Sequence, residues 1–215
     1  GIPSCSGGNK ARPCRLNNIH TRTAMRITAI YGSPRINGNT DLLMQAFLKG
    51  VREAGAEAQE LFLRDFIFSP CIDCGGCNAT GVCVLRDGMD EIYPHLIASD
   101  VIVLAAPVFF YGLNALAKAM VDRTQCFWAR KYLLGRGLRH ERGCEGRGIL
   151  LSVGGSKGQK NFDGILLTAK YFFDALDMPF THNLVYGKID TKGAILEHPE
   201  ACEQASKLGK DILKL

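Results

Sequence analysis

Four cysteines, Cys71, Cys74, Cys77 and Cys83, fall in one short segment with the spacing C-x2-C-x2-C-x5-C. Thiolates grouped this way are soft ligands for iron–sulfur clusters or zinc. Gly75, Gly76 and Gly81 allow the backbone to turn tightly between them. On one reading all four sulfurs wrap a single [4Fe–4S] cubane. A bacterial ferredoxin leaves three residues before its fourth cysteine and follows it with proline, whereas here the gap is five and Val84 follows. Three other readings fit the same residues. One is a four-cysteine zinc site, although such sites generally use two separated pairs. Another is a redox-active pair such as Cys71/Cys74 or Cys74/Cys77. The last is a set of thiols that carry no metal.

A second constellation suits an anion. Gly32-Ser33-Pro34-Arg35-Ile36-Asn37-Gly38-Asn39-Thr40 joins an apolar run to a helical pattern. Ser33 and Thr40 offer hydroxyls, Asn37 and Asn39 amides, and Arg35 a positive charge. The helix that follows brings unpaired N–H groups at its start. The loop has neither Gly-x-Gly-x-x-Gly nor Gly-x-x-x-x-Gly-Lys-Ser/Thr, which disfavours a Rossmann dinucleotide site and a nucleoside triphosphatase. Its alternative reading is an ordinary loop with a helix cap at Asn39. The segment Pro107-Val108-Phe109-Phe110-Tyr111-Gly112-Leu113-Asn114 follows the most apolar run and can line a flat ring. It can equally be a core aromatic cluster, with Phe109 inside and Tyr111 and Asn114 the better ligand candidates. Gly154 and Gly155, in Ser152-Val153-Gly154-Gly155-Ser156, permit close backbone approach to a ligand, as they would in any tight turn.

The elements that must position these loops follow from periodicity. Strands are expected at Arg26 to Tyr31, Ala58 to Leu63, Val101 to Ala106, Gly148 to Val153 and Phe180 to Tyr186. Helices are expected from about Thr40 to Ala54, from Asp87 or Gly88 toward Ala98, from Leu113 to about Phe127, from Asn161 to Leu176 and from Pro199 to Leu213. Strand and helix alternate about five times, which implies an α/β fold: a doubly wound, mostly parallel five-stranded sheet with helices on both faces. In such sheets ligands bind beyond the carboxyl ends of the strands, near the switch in strand order. All three loops follow strands.

The 215 residues suffice for one ordinary domain. Residues 1–24 carry Lys10, Arg12, Arg15 and Arg22 and no acid, so most of the formal charge of +5 lies there. That segment has no periodicity and reads as an appendage, a tag or upstream sequence, ahead of a 25–215 domain with a cysteine-rich loop at 70–84. The near-neutral remainder offers no basic field for nucleic acid. The longest apolar run, Val101 to Phe110, is far short of a membrane span. Nine cysteines in a chain of this size, with no secretory pattern, fit a reducing cytoplasm better than a disulfide scaffold. Lys118 reads as a solvated helix residue, Asp122 and Arg123 as a local pair or interface residues, and His95 and His182 as belonging to no hydrolytic triad.

Tyr31–Thr40, Pro107–Asn114, Lys118, Asp122-Arg123 and Gly154-Gly155 together resemble the NADPH-dependent FMN reductase-like flavodoxin superfamily. The cysteine segment is similar, more narrowly, to the iron–sulfur flavoproteins of anaerobes. The resemblance covers residues 26 to about 190 and implies a flavodoxin-like fold. It implies that Ser33, Arg35, Asn37, Asn39 and Thr40 hold the FMN phosphate. By the same resemblance Pro107, Val108, Phe109, Phe110, Tyr111, Gly112, Gly154 and Gly155 flank the flavin ring, Asn114 is a further candidate, and the four clustered cysteines are cluster ligands. Homodimers or homotetramers are implied as well.

The expected activity is that of an FMN oxidoreductase. A ferredoxin-like donor passes electrons through the [4Fe–4S] cluster to FMN and then to an acceptor, with no side chain assigned a catalytic proton transfer. The alternative enzyme is an NAD(P)H-dependent flavin, quinone or azo reductase without a cluster. The non-enzymatic alternative is a flavodoxin-like electron carrier.

Overall fold

The computed structural model describes residues 25–139, 146–158 and 160–214. The expected appendage at 1–24, with Cys5 and Cys14, and also Cys144, lie outside the described residues. The chain runs β1 (Ile27–Tyr31), α1 (Asn39–Glu53), β2 (Ala58–Phe62), α2 (Met89–Ala98), β3 (Val101–Ala105), β4 (Val108–Phe109), β5 (Gly112–Leu113), α3 (Ala115–Arg123), α4 (Gln125–Trp128), β6 (Arg147–Val153), α5 (Asp163–Ala175), β7 (Phe180–Tyr186) and α6 (Pro199–Lys210).

Five strands form one parallel sheet in the order β2-β1-β3-β6-β7. The three central strands are buried on both faces: β3 is an unbroken apolar run, and the buried hydroxyls that interrupt β1 and β6, Thr28 and Ser152, are hydrogen-bonded to Ser99 and to the Ala106 carbonyl. Alternation then divides the core in two. Ile30, Ile102, Leu104 and Leu150 face α2, α3 and α5. Ala29, Tyr31, Val101, Val103, Ile149 and Leu151 face α1 and α6. The edges carry polar residues, Gln59 and Glu60 on β2 and Thr181 and Asn183 on β7, which discourages further strand pairing. Helices α1 and α6 cross at their closest where Gly50 meets the backbone of Ser206 and Gly209 meets that of Phe47. A side chain at either glycine would strike backbone, so the contact requires the missing Cβ.

The flavodoxin-like architecture matches the strand–helix order of the sequence. The expected helix from Leu113 differs. Leu113 pairs with Val108 in a small antiparallel hairpin, α3 begins only at Ala115, and the helix breaks at Thr124 before α4 and a π-helical turn at Ala129–Leu133. Thr124 gives the break a reason, since its hydroxyl bonds the Val121 carbonyl at 2.6 Å and competes with the helical ladder. The final helix likewise ends at Lys210 rather than Leu213. Among the described residues no helix is long and apolar enough to cross a membrane.

Candidate functional site

The strand order reverses between β1 and β3, and the loops after those strands meet the loop after β6 at one end of the sheet. A cleft there is lined by Ser33, Arg35, Asn39, Thr40, Pro107, Val108, Phe109, Gly154 and Gly155. Residues from all three loops singled out in the sequence therefore converge, as a doubly wound sheet places them. Ile189 and Asp190, just after β7, form a fourth wall that sequence reasoning missed. Two larger cavities, of about 810 and 620 Å³, lie at the opposite strand ends and in the groove between α3–α4 and α5. Neither includes the start of α1 or any of the three strand-end loops.

The first loop ends at α1, whose cap is Gly38 and not Asn39. No side chain caps this helix, so its first N–H groups are left for an incoming anion. Thr40 lies in the first turn, 1% exposed, on the cleft wall. Its Oγ1 is buried without a partner, a hydroxyl that an anion would satisfy. Asn39 is committed elsewhere. Its Nδ2 donates to the Thr191 carbonyl at 2.9 Å, and its Oδ1 accepts from Ile195 N–H at 3.3 Å. It thereby ties the fourth wall to the first loop. Ser33 Oγ accepts from Arg35 N–H at 3.1 Å and shapes the turn. Asn37 is exposed and outside the cleft lining; its φ of +53° is left-handed, a conformation asparagine tolerates.

Beneath the loop sits Asp41, nearly inaccessible. Its Oδ2 accepts from Asn37 N–H and from Arg64 Nη1, each at 3.1 Å. Burial raises the Asp41 carboxyl above its ordinary range, and the Arg64 charge offsets this only in part. Arg64 also donates to the Ser33 carbonyl at 3.3 Å, so one guanidinium braces both ends of the turn. Neither residue stood out in the sequence, where an acid next to Thr40 reads simply as a helix-start preference.

The second loop is a tight hairpin. Phe109 pairs with Gly112, leaving Phe110 and Tyr111 as a two-residue turn with φ of +48° and +63°. Left-handed conformations match the twist of a two-residue hairpin but are unfavourable for aromatic residues, at about 1–3 kcal/mol each. Phe110 is fully exposed and Phe109 is 45% exposed. Phe109 is therefore a wall of the cleft and not a core residue. Phe110, Tyr111, Gly112 and Asn114 are absent from the cleft lining. Asn114 is buried, and its Nδ2 donates to the Gly32 carbonyl at 2.8 Å, which ties the second loop to the first. In the third loop, a Cβ on Gly154 would lie 2.5 Å from Asn161 Nδ2 and 3.3 Å from Val108 Cβ. Glycine is required there by close packing.

The cysteine segment corrects the sequence reading. The expected [4Fe–4S] site at Cys71, Cys74, Cys77 and Cys83 is not formed: among the described residues, no group of three or more His, Cys, Asp or Glu could hold a metal ion. Cys77 and Cys83 are instead packed against the apolar core beneath α2 and α3, while Cys74 is exposed. All four cysteines border one small cavity, which Cys126 shares, but they do not converge as a metal-holding group. Burial, with the neighbouring thiols adding to it, pushes the Cys77 thiol up. Cys126, buried on the same small cavity, is pushed up to about 11 by burial. The electron path through a cluster falls with the cluster.

The segment is anchored by Arg123. This fully buried guanidinium donates to Asp87 Oδ2 at 2.7 Å and to the Ser69 carbonyl at 2.8 Å. The expected Asp122–Arg123 pair is thus replaced: Asp122 pairs with Lys118 on the exposed face of α3, at 2.5 Å. Burial raises the Asp87 carboxyl, but the Arg123 bond and the N–H groups of Ser69 and Met89 outweigh it and leave it below its ordinary range.

Compared with known proteins, residues 25–180 match the family model described as NADPH-dependent FMN reductase. An iron–sulfur flavoprotein of Methanosarcina thermophila is 36% identical over 133 residues, 62% of this chain and 65% of that protein. A putative NAD(P)H-dependent FMN-containing oxidoreductase of Bacillus subtilis is 23% identical over 188 residues, 86% of this chain and 97% of that protein. The matched stretch spans only 51–65% of the length of three curated iron–sulfur flavoproteins. Among solved structures, an NAD(P)H:quinone oxidoreductase from Methanothermobacter marburgensis superposes with a TM-score of 0.65 at 14% identity, over 88% of this chain and 96% of that one. At that identity the likeness speaks for the fold alone.

Proposed function

The chain belongs to the NADPH-dependent FMN reductase family, within the flavodoxin-like superfamily that includes the iron–sulfur flavoproteins, and from that premise we propose that it is an FMN-dependent oxidoreductase of the NAD(P)H-driven quinone or azo reductase type, with no cluster. The observation that carries this reading is the uncapped start of α1 with the unpartnered Thr40 hydroxyl, set in a cleft shared by three strand-end loops. Thr40, Ser33, Arg35 and the first N–H groups of α1 hold the phosphate. Arg64 keeps their loop in shape. Pro107, Val108, Phe109, Gly154 and Gly155 flank the ring and exclude water from one side of it. Asn37, Phe110, Tyr111, Gly112 and Asn114 support these walls or border their mouth. When bound, FMN supplies the hydride and electron transfer, and the protein binds and orients it.

The protein acts as a homodimer or homotetramer on this reading. Support comes from the exposed apolar side chains of Trp128, Tyr132, Leu133, Leu167 and Tyr171 beside the α3–α5 groove. The purified protein is expected to carry about one FMN per chain and to be bleached by NADPH under anaerobic conditions, with colour returning on addition of a quinone or an azo dye. A chain that neither retains nor binds FMN refutes the proposal.

A further inference from the structure

We propose that Asp41 takes up a proton when the FMN phosphate binds, so that flavin affinity and pH are linked through this one carboxyl; the assignment rests on the FMN reading above. Asp41 follows Thr40 in the first turn of α1 and is 1% exposed. Its two oxygens differ. Oδ2 accepts from Asn37 N–H and from Arg64 Nη1, each at 3.1 Å. Oδ1 is buried and has no hydrogen-bond partner. A buried carboxylate oxygen with nothing donating to it is unfavourable, because burial penalises the charged form unless bonds or opposite charge offset it. Cations reach Asp41 from two other segments, Arg64 after β2 and Lys192 after β7. Tyr31 of β1 also lies within electrostatic range. Burial and its bond to Glu60 hold that phenol above its ordinary range, so it brings no charge. Even with both cations, burial keeps the Asp41 carboxyl above its ordinary range.

Arg64 already has two duties, since it donates to the Ser33 carbonyl at 3.3 Å as well as to Asp41. On the FMN reading the phosphate enters at the start of α1 against Thr40, the residue before Asp41. Two anionic groups then share one guanidinium and one helix start. A like charge brought close raises the pKa of a carboxyl, and a group that burial has already raised yields first. The proton comes from solvent and sits on Oδ1, the oxygen that makes no other bond. Neutral Asp41 keeps both bonds to Oδ2, so the turn held by Asn37 and Arg64 survives the change. The carboxyl value is higher in the bound protein than in the free protein. FMN affinity is therefore highest below the free-protein value, falls as pH rises between the two values, and levels off above the bound one.

The test titrates flavin-stripped wild type, Asp41→Asn and Asp41→Ser with FMN and with riboflavin, by fluorescence quenching from about pH 5 to about pH 8. Asparagine copies the neutral acid. The ratio of wild-type to variant dissociation constants cancels the titration of the phosphate itself, whose second pKa is about 6. The expected FMN ratio rises about tenfold across the range, the equivalent of a one-unit shift in one carboxyl, while the riboflavin ratio stays flat. At the alkaline end Asp41→Asn binds FMN more tightly than wild type. If Asp41→Asn does not fold, Asp41→Ser, also neutral and short, supplies the same ratio. An FMN ratio independent of pH, in a wild type that binds FMN, overturns the inference and leaves the FMN reading standing. Uniform weakening at every pH is one such result, and marks a carboxylate that only shapes the turn. A riboflavin ratio that rises as steeply as the FMN ratio overturns it too, because the linkage then does not involve the phosphate. Wild-type protein that does not bind FMN overturns both readings.

Discussion

Replacing Thr40 by valine removes one oxygen and little else. The two side chains have nearly the same shape and similar β-branched constraints within a helix. In the flavin-free protein the Thr40 hydroxyl is buried and bonded to nothing, so its loss should leave stability unchanged or raise it by up to about 1 kcal/mol. On the proposed placement of FMN the hydroxyl donates to a charged phosphate, and such bonds contribute about 1.5–3 kcal/mol. FMN should therefore bind roughly 10- to 150-fold more weakly to Thr40→Val. Riboflavin, which has the ring and side chain but no phosphate, should bind both proteins alike. Fluorescence titration of stripped protein with each flavin gives the four affinities. Equal FMN affinity in the two proteins would refute the placement of the phosphate at α1. Equal losses for FMN and riboflavin would show that the substitution distorts the cleft as a whole.

Gly154→Ala should cost about 1–3 kcal/mol of stability by overpacking against Asn161 and should also weaken FMN, as chemical denaturation and flavin titration will show. Gly50→Ala inserts a methyl group against Ser206 backbone and should destabilise by at least ~2 kcal/mol without changing the cleft, a separation that the denaturation midpoint and the flavin affinity of surviving folded protein can test. Arg123→Met leaves Asp87 and the Ser69 carbonyl without their buried partner and should destabilise by about 3 kcal/mol while making the 70–84 segment more susceptible to proteolysis. The Asp87 carboxyl is depressed in the folded protein, so its contribution is fully present above the unfolded value near ~3.9 and disappears as pH falls through the lower folded value. The stability gap between wild type and Asp87→Asn should accordingly narrow below about pH 4, and a gap that stays constant in thermal melts at acid pH would contradict that linkage.

The amino-acid order alone settled the sheet and the three loops. Continuous apolar runs such as Val101–Ala105 have one good solution, a strand buried on both faces, and helical spacing between them imposes parallel crossovers. Loops that follow such strands must gather at one end, so that Ser33, Thr40, Val108 and Gly154, from three separate segments, line one cleft. Hydrogen-bond allegiance was not legible, because it depends on which distant groups fold alongside. Asn39 and Thr40 are neighbours with similar polarity, yet the amide is committed to residues 191 and 195 while the hydroxyl is left unpaired. Arg64 and Asp190 reach the site from segments with no motif. The cysteines show the same limit most clearly. Their spacing fixes how far apart the thiols are along the chain, but the competition between core burial and solvent turned Cys77 and Cys83 inward and left Cys74 outside. Residue type and spacing state what chemistry a segment has available; packing against the rest of the chain decides which atoms remain free to perform it.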